Sequence, residues 1–353
     1  MQPKPDTGRF RRALWRHLVS ADDAQLATLL GVWREVGLPA LPAFYEVISM
    51  LLVRDGDRWL DRGEEVIRQL GLDLDEVDGA LHRYVTGDTA GGLAALRACR
   101  ERRNPGRKVV FWHMFLETRE NRLRQPAPPA PEVDLFQYWD RDPPPDVAAE
   151  MEKWSRVPTL RSYRRFDEAE ARQYLADRHG AELVRAYDAA WHAAMKSDLF
   201  RIAYLLDHGG LYMDCDMRQV ERTAEFVAAM NTPLQLTVQT HRPTCGVTNC
   251  VMHARPNHPL MARFLERCVR NILDENLRNP LQATGPAALS AMIDQMLRDR
   301  DGAAVLLRST SVSLTELHRR LATNFGASYK KTSKSWQRAL GTSGRAGDAG
   351  RGA

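Results

Sequence analysis

Hydrophobic side chains recur at helical spacing through the first third of the chain. Leu14, Trp15 and Leu18 share one face of a predicted helix over 10–19, because residues three and four apart lie on the same side of a helix. The segment 108–114 fits a strand as well as a helix. Further helices are predicted over 26–33, 44–53, 59–70, 74–84 and 87–103. We therefore interpret residues 1–124 as a helical N-terminal region.

The pattern changes after this region. Four prolines within 125–131 predict an extended linker, because proline cannot continue a helix. From residue 132 to about 340, short apolar runs alternate with helical patterns, which is typical of an α/β sheet whose ligands bind at the strand ends. The glycine-rich tail, 341–353, has almost no apolar content and is predicted to be disordered.

One helix of the α/β region carries charged residues on a largely apolar surface. It is predicted over roughly 189–207, and Gly209 and Gly210 end it. Asp198 and Arg201 are three residues apart, so they share a face of the helix. They form either part of a binding site or an ordinary surface ion pair.

A short apolar strand, 211–213, follows the glycines and leads into Asp214-Cys215-Asp216. Carboxylates two residues apart on a strand point the same way, because the side-chain period of a strand is two. Mg²⁺ and Mn²⁺ prefer such oxygen ligands, and a nucleotide diphosphate needs a cation of this kind to neutralise its charge. The alternative is a pair of solvated loop aspartates.

The segment resembles the DxD-containing sugar-binding region of a glycosyltransferase family. That family includes yeast Golgi initiating mannosyltransferases, bacterial capsular polysaccharide enzymes and, more distantly, the glucosylating domains of large clostridial toxins. The residues that carry the resemblance are Lys196, Ser197, Asp198, Arg201, Gly209, Gly210, Tyr212, Asp214 and Asp216. Flanking segments at 133–139, 160–167, 249–259, 284–286 and 335–336 are also similar to family segments.

The resemblance implies an A-type glycosyltransferase fold, a Rossmann-like nucleotide-diphospho-sugar transferase domain. It implies that Trp139 stacks on the nucleobase of the donor, although a core tryptophan is the alternative. Asp198 and Arg201 would hold hydroxyls of the donor sugar, while Asp214 would contact the ribose or sugar. The metal ligands would be Asp216 and Asp214. Further donor-binding residues would be Lys196, Gly209, Gly210, Tyr212, Ser335 and Trp336.

The implied reaction is transfer of a sugar from a nucleotide-diphosphate sugar to a hydroxyl, with retention of configuration and with bound Mn²⁺ or Mg²⁺. The implied acceptor is a polysaccharide, glycolipid or other cell-envelope glycan. Three alternatives stay open: a toxin-like effector that glycosylates a protein, a catalytically inactive nucleotide-sugar-binding protein, and a helical scaffold. For the N-terminal helices two roles are open. We favour a packing or oligomerisation module over an acceptor-binding module.

The chain departs from the family before the closing Ser335-Trp336. Family members often have a histidine there that helps to bind the metal, whereas this chain has Tyr329-Lys330-Lys331 and a third lysine at 334. Lysine ammonium groups could bind the diphosphate directly. The departure puts a third protein ligand to the metal in doubt.

Composition adds limits on partners and location. The 353 residues carry a formal charge of +5, which suits an anionic donor, but no nucleic-acid-binding motif is present. Five scattered cysteines favour a reducing compartment, and we expect a cytoplasmic protein, with peripheral association at the inner membrane face left open. One cluster is either a zinc site or a set of ordinary core and loop residues: His241, Cys245, Cys250 and His253.

Overall fold

The computed structural model describes residues 75–85, 87–102, 105–124, 133–220, 223–228, 234–239, 245–299, 302, 305–306, 310–314, 317, 321–323, 326–332 and 335. The helices predicted between 10 and 70, the linker and the tail lie outside these residues. The chain divides into two units, the first formed by Met1–Arg102 with Thr240–Thr244 and the second by Arg103–Gln239 with Cys245–Ala353.

The described part of the first unit contains two helices, α1 (Glu76–Val85) and α2 (Thr89–Arg100). The Asp88 side chain caps α2 by accepting a hydrogen bond from the backbone N–H of Gly91 at 2.9 Å. The two helices are in such close contact that a Cβ added at Gly92 would lie only 2.7 Å from the backbone nitrogen of Tyr84. Both helices were predicted from the spacing of apolar residues, with ends that differ by one to three residues.

The second unit alternates helices and strands as the sequence predicted. Its helices are α3 (Arg107–Arg124), α4 (Pro145–Trp154), α5 (Glu168–His179), α6 (Ala181–Ala189), α7 (Ala193–His208), α8 (Thr223–Ala228), α9 (Pro259–Leu273), α10 (Pro280–Ala283) and α11 (Pro286–Arg298). Its strands are β1 (Val133–Tyr138), β2 (Leu160–Phe166), β3 (Gly210–Met213), β4 (Met217–Gln219), β5 (Leu234–Val238), β6 (Val247–Ala254), β7 (Thr310–Ser313) and β8 (Leu321–Thr323).

Among the described residues, six strands form the main sheet, in the order β2-β1-β3-β6-β5-β7. The strands β1, β2 and β3 are parallel, whereas β6 runs antiparallel to both β3 and β5. A separate antiparallel pair joins β4 to β8. The predicted α/β class is confirmed by this sheet, and the antiparallel β6 is a feature that the pattern of alternation did not predict.

The sheet is covered on both faces, which explains why five of the six residues of β1 are buried. On one face, Val133 and Leu135 belong to a core that includes Trp154 of α4. On the other face, Phe136 packs with Phe200 of α7 at a ring-centroid distance of 6.1 Å. No described helix is long and apolar enough to cross a membrane.

Two glycines connect α7 to β3 through backbone conformations that other residues rarely adopt. Gly209 has a φ of 68° and Gly210 a φ of 98°. A Cβ at Gly210 would lie 2.8 Å from the backbone oxygen of Asp134. The glycines are therefore required by the turn and by the close approach of β3 to β1. The helix before them begins at Ala193 rather than near 189, because His192 caps it by accepting from the Ala194 N–H.

The ambiguous segment 108–114 is helical and lies within α3, which belongs to the same unit as the sheet. Arg107 forms an ion pair with Asp294 of α11 at 2.6 Å, and α3 also contacts β7. Phe111, Trp112 and Leu116 are fully buried. The domain boundary predicted at 125–131 stays a prediction. The contacts of α3 with the α/β part of the unit provide a direct test of it.

We expect a fragment that begins at residue 132 to be much less stable than one that begins at residue 103. Each large apolar side chain of α3 that loses its burial costs about 1.5–3 kcal/mol, which is large beside a total stability of about 5–15 kcal/mol. Thermal unfolding of both fragments and of the full chain measures the difference. Equal transition temperatures for the two fragments would show that α3 is dispensable and that the boundary lies in the proline segment.

Candidate functional site

The candidate site lies at the carboxyl edge, which we define as the edge of the sheet where β1, β2 and β3 end. In the parallel pair of β1 and β3, Phe136 is aligned with Tyr212. Two residues further along the chain from this pair are Tyr138 and Asp214. The Cys215 thiol donates to the Tyr138 carbonyl at 3.1 Å. The end of β1 is thus joined directly to the Asp-Cys-Asp segment.

The Asp-Cys-Asp segment forms a turn and not the end of a strand. The strand β3 ends at Met213, and the N–H of Met217 donates to the Asp214 carbonyl at 3.1 Å, which closes the turn. The N–H of Asp214 donates to the Cys250 carbonyl of β6 at 2.8 Å. Strand periodicity was therefore the wrong reason for placing both carboxylates together, since the turn and its contact with β6 orient them.

Arg201 lies at the centre of the site, with its side chain only 5% exposed. Its guanidinium forms ion pairs with Asp198 at 3.0 Å and with Asp214 at 3.2 Å. It also donates to the Asn249 carbonyl at 2.5 Å, and it lies 4.0 Å from the centroid of the Tyr212 ring. The sequence placed Asp198, Arg201 and Asp214 in one site, and the structure brings them into contact.

Asp198 is buried with its hydrogen-bonding capacity largely used. Its Oδ1 accepts from the Asn249 side-chain amide at 2.8 Å, and its Oδ2 accepts from the Thr284 hydroxyl at 2.7 Å. Burial raises the pKa of Asp198 to about 6, although Arg201, Thr284 and Asn249 all favour the charged form. Asp198 therefore joins three elements: α7, β6 and the turn before α11.

Asp214 is the exposed member of this network, with 34% of its side chain accessible. Its Oδ1 accepts from the Tyr212 hydroxyl at 3.0 Å and faces Arg201. Desolvation raises the pKa of Asp214 above its usual range against the attraction of Arg201, and the charges of Asp216 and Asp198 raise it further. A ligand at the carboxyl edge can reach this carboxylate, whereas Arg201 acts from beneath it.

Asp216 lies on the other side of the turn and is 9% exposed. Its Oδ2 accepts from the Tyr329 hydroxyl at 3.0 Å. The Lys330 ammonium lies 2.5 Å from the same oxygen. Asp216 is thus held by the segment that departs from the family pattern.

Trp139 follows β1 directly and is half-buried. Its ring meets that of Tyr329 edge-on, with centroids 5.1 Å apart. The ring packs beside a small core formed by Val147, Met151, Cys215 and Ala327. Trp139 therefore lies at the carboxyl edge beside the Asp-Cys-Asp turn, as expected of a base-stacking residue, but it also has a packing role.

Other predicted donor-binding residues lie further from the turn or beneath it. Lys196 forms an ion pair with Glu168 at the start of α5. Gly209 and Gly210 lie at the opposite end of β3 from Asp214, and Gly210 is about 13 Å from it at the usual rise of a strand. Tyr212 is buried under Arg201 and donates to Asp214. Ser335 is buried, and Trp336 lies outside the described residues.

The described members of the candidate zinc cluster do not converge. Cys250 and His253 are three residues apart on β6, so their side chains point to opposite faces of the sheet. The Cys250 thiol lies 3.1 Å from the Thr248 hydroxyl, and Cys245 is a buried free thiol. His241 lies outside the described residues. Within the described ranges, no group of three or more His, Cys, Asp or Glu side chains could hold a metal.

Asp214 and Asp216 nevertheless fit a hard cation that arrives with a phosphate ligand. Both are carboxylates, the ligand type that Mg²⁺ and Mn²⁺ prefer. Magnesium is commonly held by one or two carboxylates together with substrate phosphates and water. The contacts described for the Asp216 carboxylate fall on Oδ2, and those for Asp214 fall on Oδ1. A third carboxylate is not required for this mode of binding.

Comparison with known protein families points to the part of the chain that contains the candidate site. Residues 101–232 match the family model of the glycosyltransferase sugar-binding region containing DXD motif. This part of the chain is thus similar to that glycosyltransferase family. The match includes Trp139, Asp198, Arg201, Asp214 and Asp216, and together with the α/β sheet it supports the predicted nucleotide-sugar transferase fold.

Two further comparisons are weaker. The solved structures that match include PaToxG Glycosyltransferase, which is 15% identical, covers 60% of this chain and 86% of that chain, and has a TM-score of 0.35. No curated protein gives a significant match.

Several residues of the candidate site received no role, or a different role, from the sequence. Asn249 and Thr284 lie in segments that resembled the family, yet only the structure shows that both bind Asp198. Tyr329 and Lys330 were noted as a departure from the family, and the structure places both on Asp216. Their distance along the chain from the Asp-Cys-Asp turn left no signal of contact.

Arg201→Lys should lower the free energy of unfolding of this protein by about 2 kcal/mol, because hydrogen bonds to buried charged groups contribute roughly 1.5–3 kcal/mol. A lysine cannot contact both carboxylates and stack on Tyr212 with a planar group. Urea denaturation measures the change, with Arg185→Lys on the exposed face of α6 as the matched control. Equal losses in the two variants would show that the geometry of the guanidinium is unimportant.

Proposed function

We propose that this protein is a glycosyltransferase, which moves a sugar from a nucleotide-diphosphate sugar to a hydroxyl group of an acceptor. The observation that carries the proposal is the partly exposed Asp214 carboxylate, which forms an ion pair with the buried Arg201 at the carboxyl edge. Sheets of this type bind nucleotides at the carboxyl ends of their parallel strands. The site therefore suits a ligand with an aromatic base at one end and a diphosphate near the turn.

Each end of the donor has a candidate partner. Trp139 offers a ring face for the base, and a base–aromatic stack contributes about 1–3 kcal/mol in single-strand nucleic-acid sites. Asp214 is the carboxylate available to hydroxyls of the ribose or sugar, since its side chain is one-third exposed. Asp198 and Arg201 orient Asp214 from below, and their burial leaves little surface for direct contact with the sugar. Lys196, Ser335 and Trp336 are proposed as further donor contacts.

Asp216 and Asp214 are the residues that would hold a divalent cation. When bound, Mn²⁺ or Mg²⁺ supplies positive charge that stabilises the charge developing on the leaving diphosphate. Asp216 suits this role because it is held in one position by Tyr329 and lies beside the exposed Asp214.

In the proposed reaction, the acceptor oxygen forms a bond to the sugar C1 while the bond from C1 to the diphosphate oxygen breaks. The acceptor proton passes to an oxygen of the departing diphosphate, so no side chain is required as a base. The family resemblance favours retention of configuration and an acceptor hydroxyl on a cell-envelope polysaccharide or glycolipid. A protein hydroxyl is the competing acceptor.

A donor screen tests the proposal without knowledge of the acceptor. Glycosyltransferases of this kind should hydrolyse their donor slowly in water, so a panel of nucleotide sugars is incubated with the protein, with Mn²⁺ or with a chelator. We expect one base and sugar to be hydrolysed in the presence of Mn²⁺ only. If no nucleotide sugar is hydrolysed or bound under either condition, the proposal is wrong.

Asp216→Asn should reduce donor hydrolysis by at least ~10²-fold, the scale of losing one electrostatic stabiliser of a transition state. The amide keeps the shape of the side chain but removes its charge. Initial rates at limiting Mn²⁺ measure the loss, and circular dichroism checks the fold. Asp274→Asn, at an exposed position after α9, is the control and should keep the wild-type rate. Hydrolysis at the wild-type rate in Asp216→Asn would remove Asp216 from the mechanism.

A further inference from the structure

Two side chains from one short helix meet the same oxygen of the predicted metal ligand. Tyr329 donates its hydroxyl to Asp216 Oδ2 at 3.0 Å, and the Lys330 ammonium lies 2.5 Å from that oxygen. The carboxylate is 9% exposed and the lysine side chain 25% exposed. An ion pair with this little exposure is screened by water less than a surface pair. Asp216 therefore already has a positive counter-charge within the chain.

The segment that presents Lys330 is fixed from its other end. It is a short 3₁₀-helix, Ser328–Lys331. The backbone N–H of Ser328 donates to Asp146 Oδ2 at 2.8 Å, and the Ser328 hydroxyl donates to Oδ1 at 2.7 Å. The Tyr329 ring contacts Trp139. These contacts hold the helix beside the Asp-Cys-Asp turn, so that Lys330 lies next to Asp216 in a fixed position.

We propose that Lys330 is an internal competitor for the divalent cation at Asp216. This inference rests on the proposed function only in taking Asp216 as a metal ligand. The ammonium and a divalent cation both require the negative charge of one carboxylate, and two cations beside it repel each other. A metal that binds Oδ2 must first displace the ammonium.

The competition has a definite consequence for the protein without its donor. Lys330 lowers the affinity of the site for the free metal, because its ammonium group already neutralises part of the negative charge of Asp216. A diphosphate brings additional negative charge that can attract both cations. The lysine thus favours entry of the metal together with the diphosphate over entry of the metal alone.

Titration of the full chain with Mn²⁺ alone, without nucleotide, tests the proposal. Free Mn²⁺ is followed by electron paramagnetic resonance, which reports binding independently of turnover. Lys330→Met should bind Mn²⁺ about tenfold more tightly than the wild type, a factor that corresponds to about 1.4 kcal/mol. A methionine keeps an unbranched side chain, one heavy atom shorter than that of lysine, but carries no charge.

Three variants make the result specific. Lys331→Met removes the same charge from the exposed neighbouring position and should leave the Mn²⁺ affinity within twofold of the wild type. Lys330→Arg restores a cation and should restore weak binding. The double variant Lys330→Met with Asp216→Asn should lose the gain in affinity, since the gain depends on the freed carboxylate. Thermal unfolding of each variant checks that the fold is retained.

Several results would overturn the proposal. Equal Mn²⁺ affinities in the wild type and Lys330→Met would show that the lysine does not compete, and this includes the case in which neither binds. An equal gain in Lys331→Met would show a general charge effect. A gain that survives Asp216→Asn would place the metal elsewhere. Failure of the proposed function looks different, because it appears as no hydrolysis of any nucleotide sugar, whatever the Mn²⁺ affinity.

Discussion

The buried guanidinium of Arg201 imposes the strongest constraint on the site. Moving a charged group out of water costs several kcal/mol unless its partners replace the water. Here the partners come from separate elements: Asp198 on the same helix, Asp214 after β3, and the carbonyl of Asn249 on β6. The positions of α7, β3 and β6 at the carboxyl edge are therefore coupled, because displacing any one of them leaves a charge without its partner.

This constraint also explains how a turn can present carboxylates with precision. The Asp-Cys-Asp turn is tied to β6 through Asp214, to β1 through Cys215, and to Arg201 from below. A free loop with two aspartates would lose conformational entropy when it bound a ligand. The turn is already ordered by these contacts, so less free energy is lost when a donor binds, which is the usual benefit of a preorganised site.

Positive charge reaches the carboxylates from two directions. Arg201 lies beneath Asp214 within the core, whereas Lys330 approaches Asp216 from a segment more than a hundred residues later in the chain. The two cations have different environments, because the guanidinium side chain is 5% exposed and the lysine side chain 25% exposed. The buried cation suits a permanent structural role, and the more exposed one suits exchange with a metal or a diphosphate.

The sequence by itself determined the α/β class and the run from α7 through the two glycines into β3, and it predicted Asp198, Arg201, Asp214 and Asp216 as site residues. The α/β class follows from the alternation of strand and helix patterns along the chain. The turn and the site residues follow from the two glycines and from a motif that spans about twenty residues. It did not determine the helical state of 108–114, since a short apolar run fits either element and only its packing against β7 and α11 decided it.

Only the tertiary structure decided which distant residues complete the site. Asn249 and Thr284 bind Asp198 from 51 and 86 residues away. Tyr329 binds Asp216 from 113 residues away, and Lys330 is its neighbour in the chain. Cys250 and His253, close in the sequence, point to opposite faces of β6. Sequence spacing reports neighbours along one element, whereas the partners of a buried charge are chosen by the folding of the chain, which brings together groups that must replace lost water.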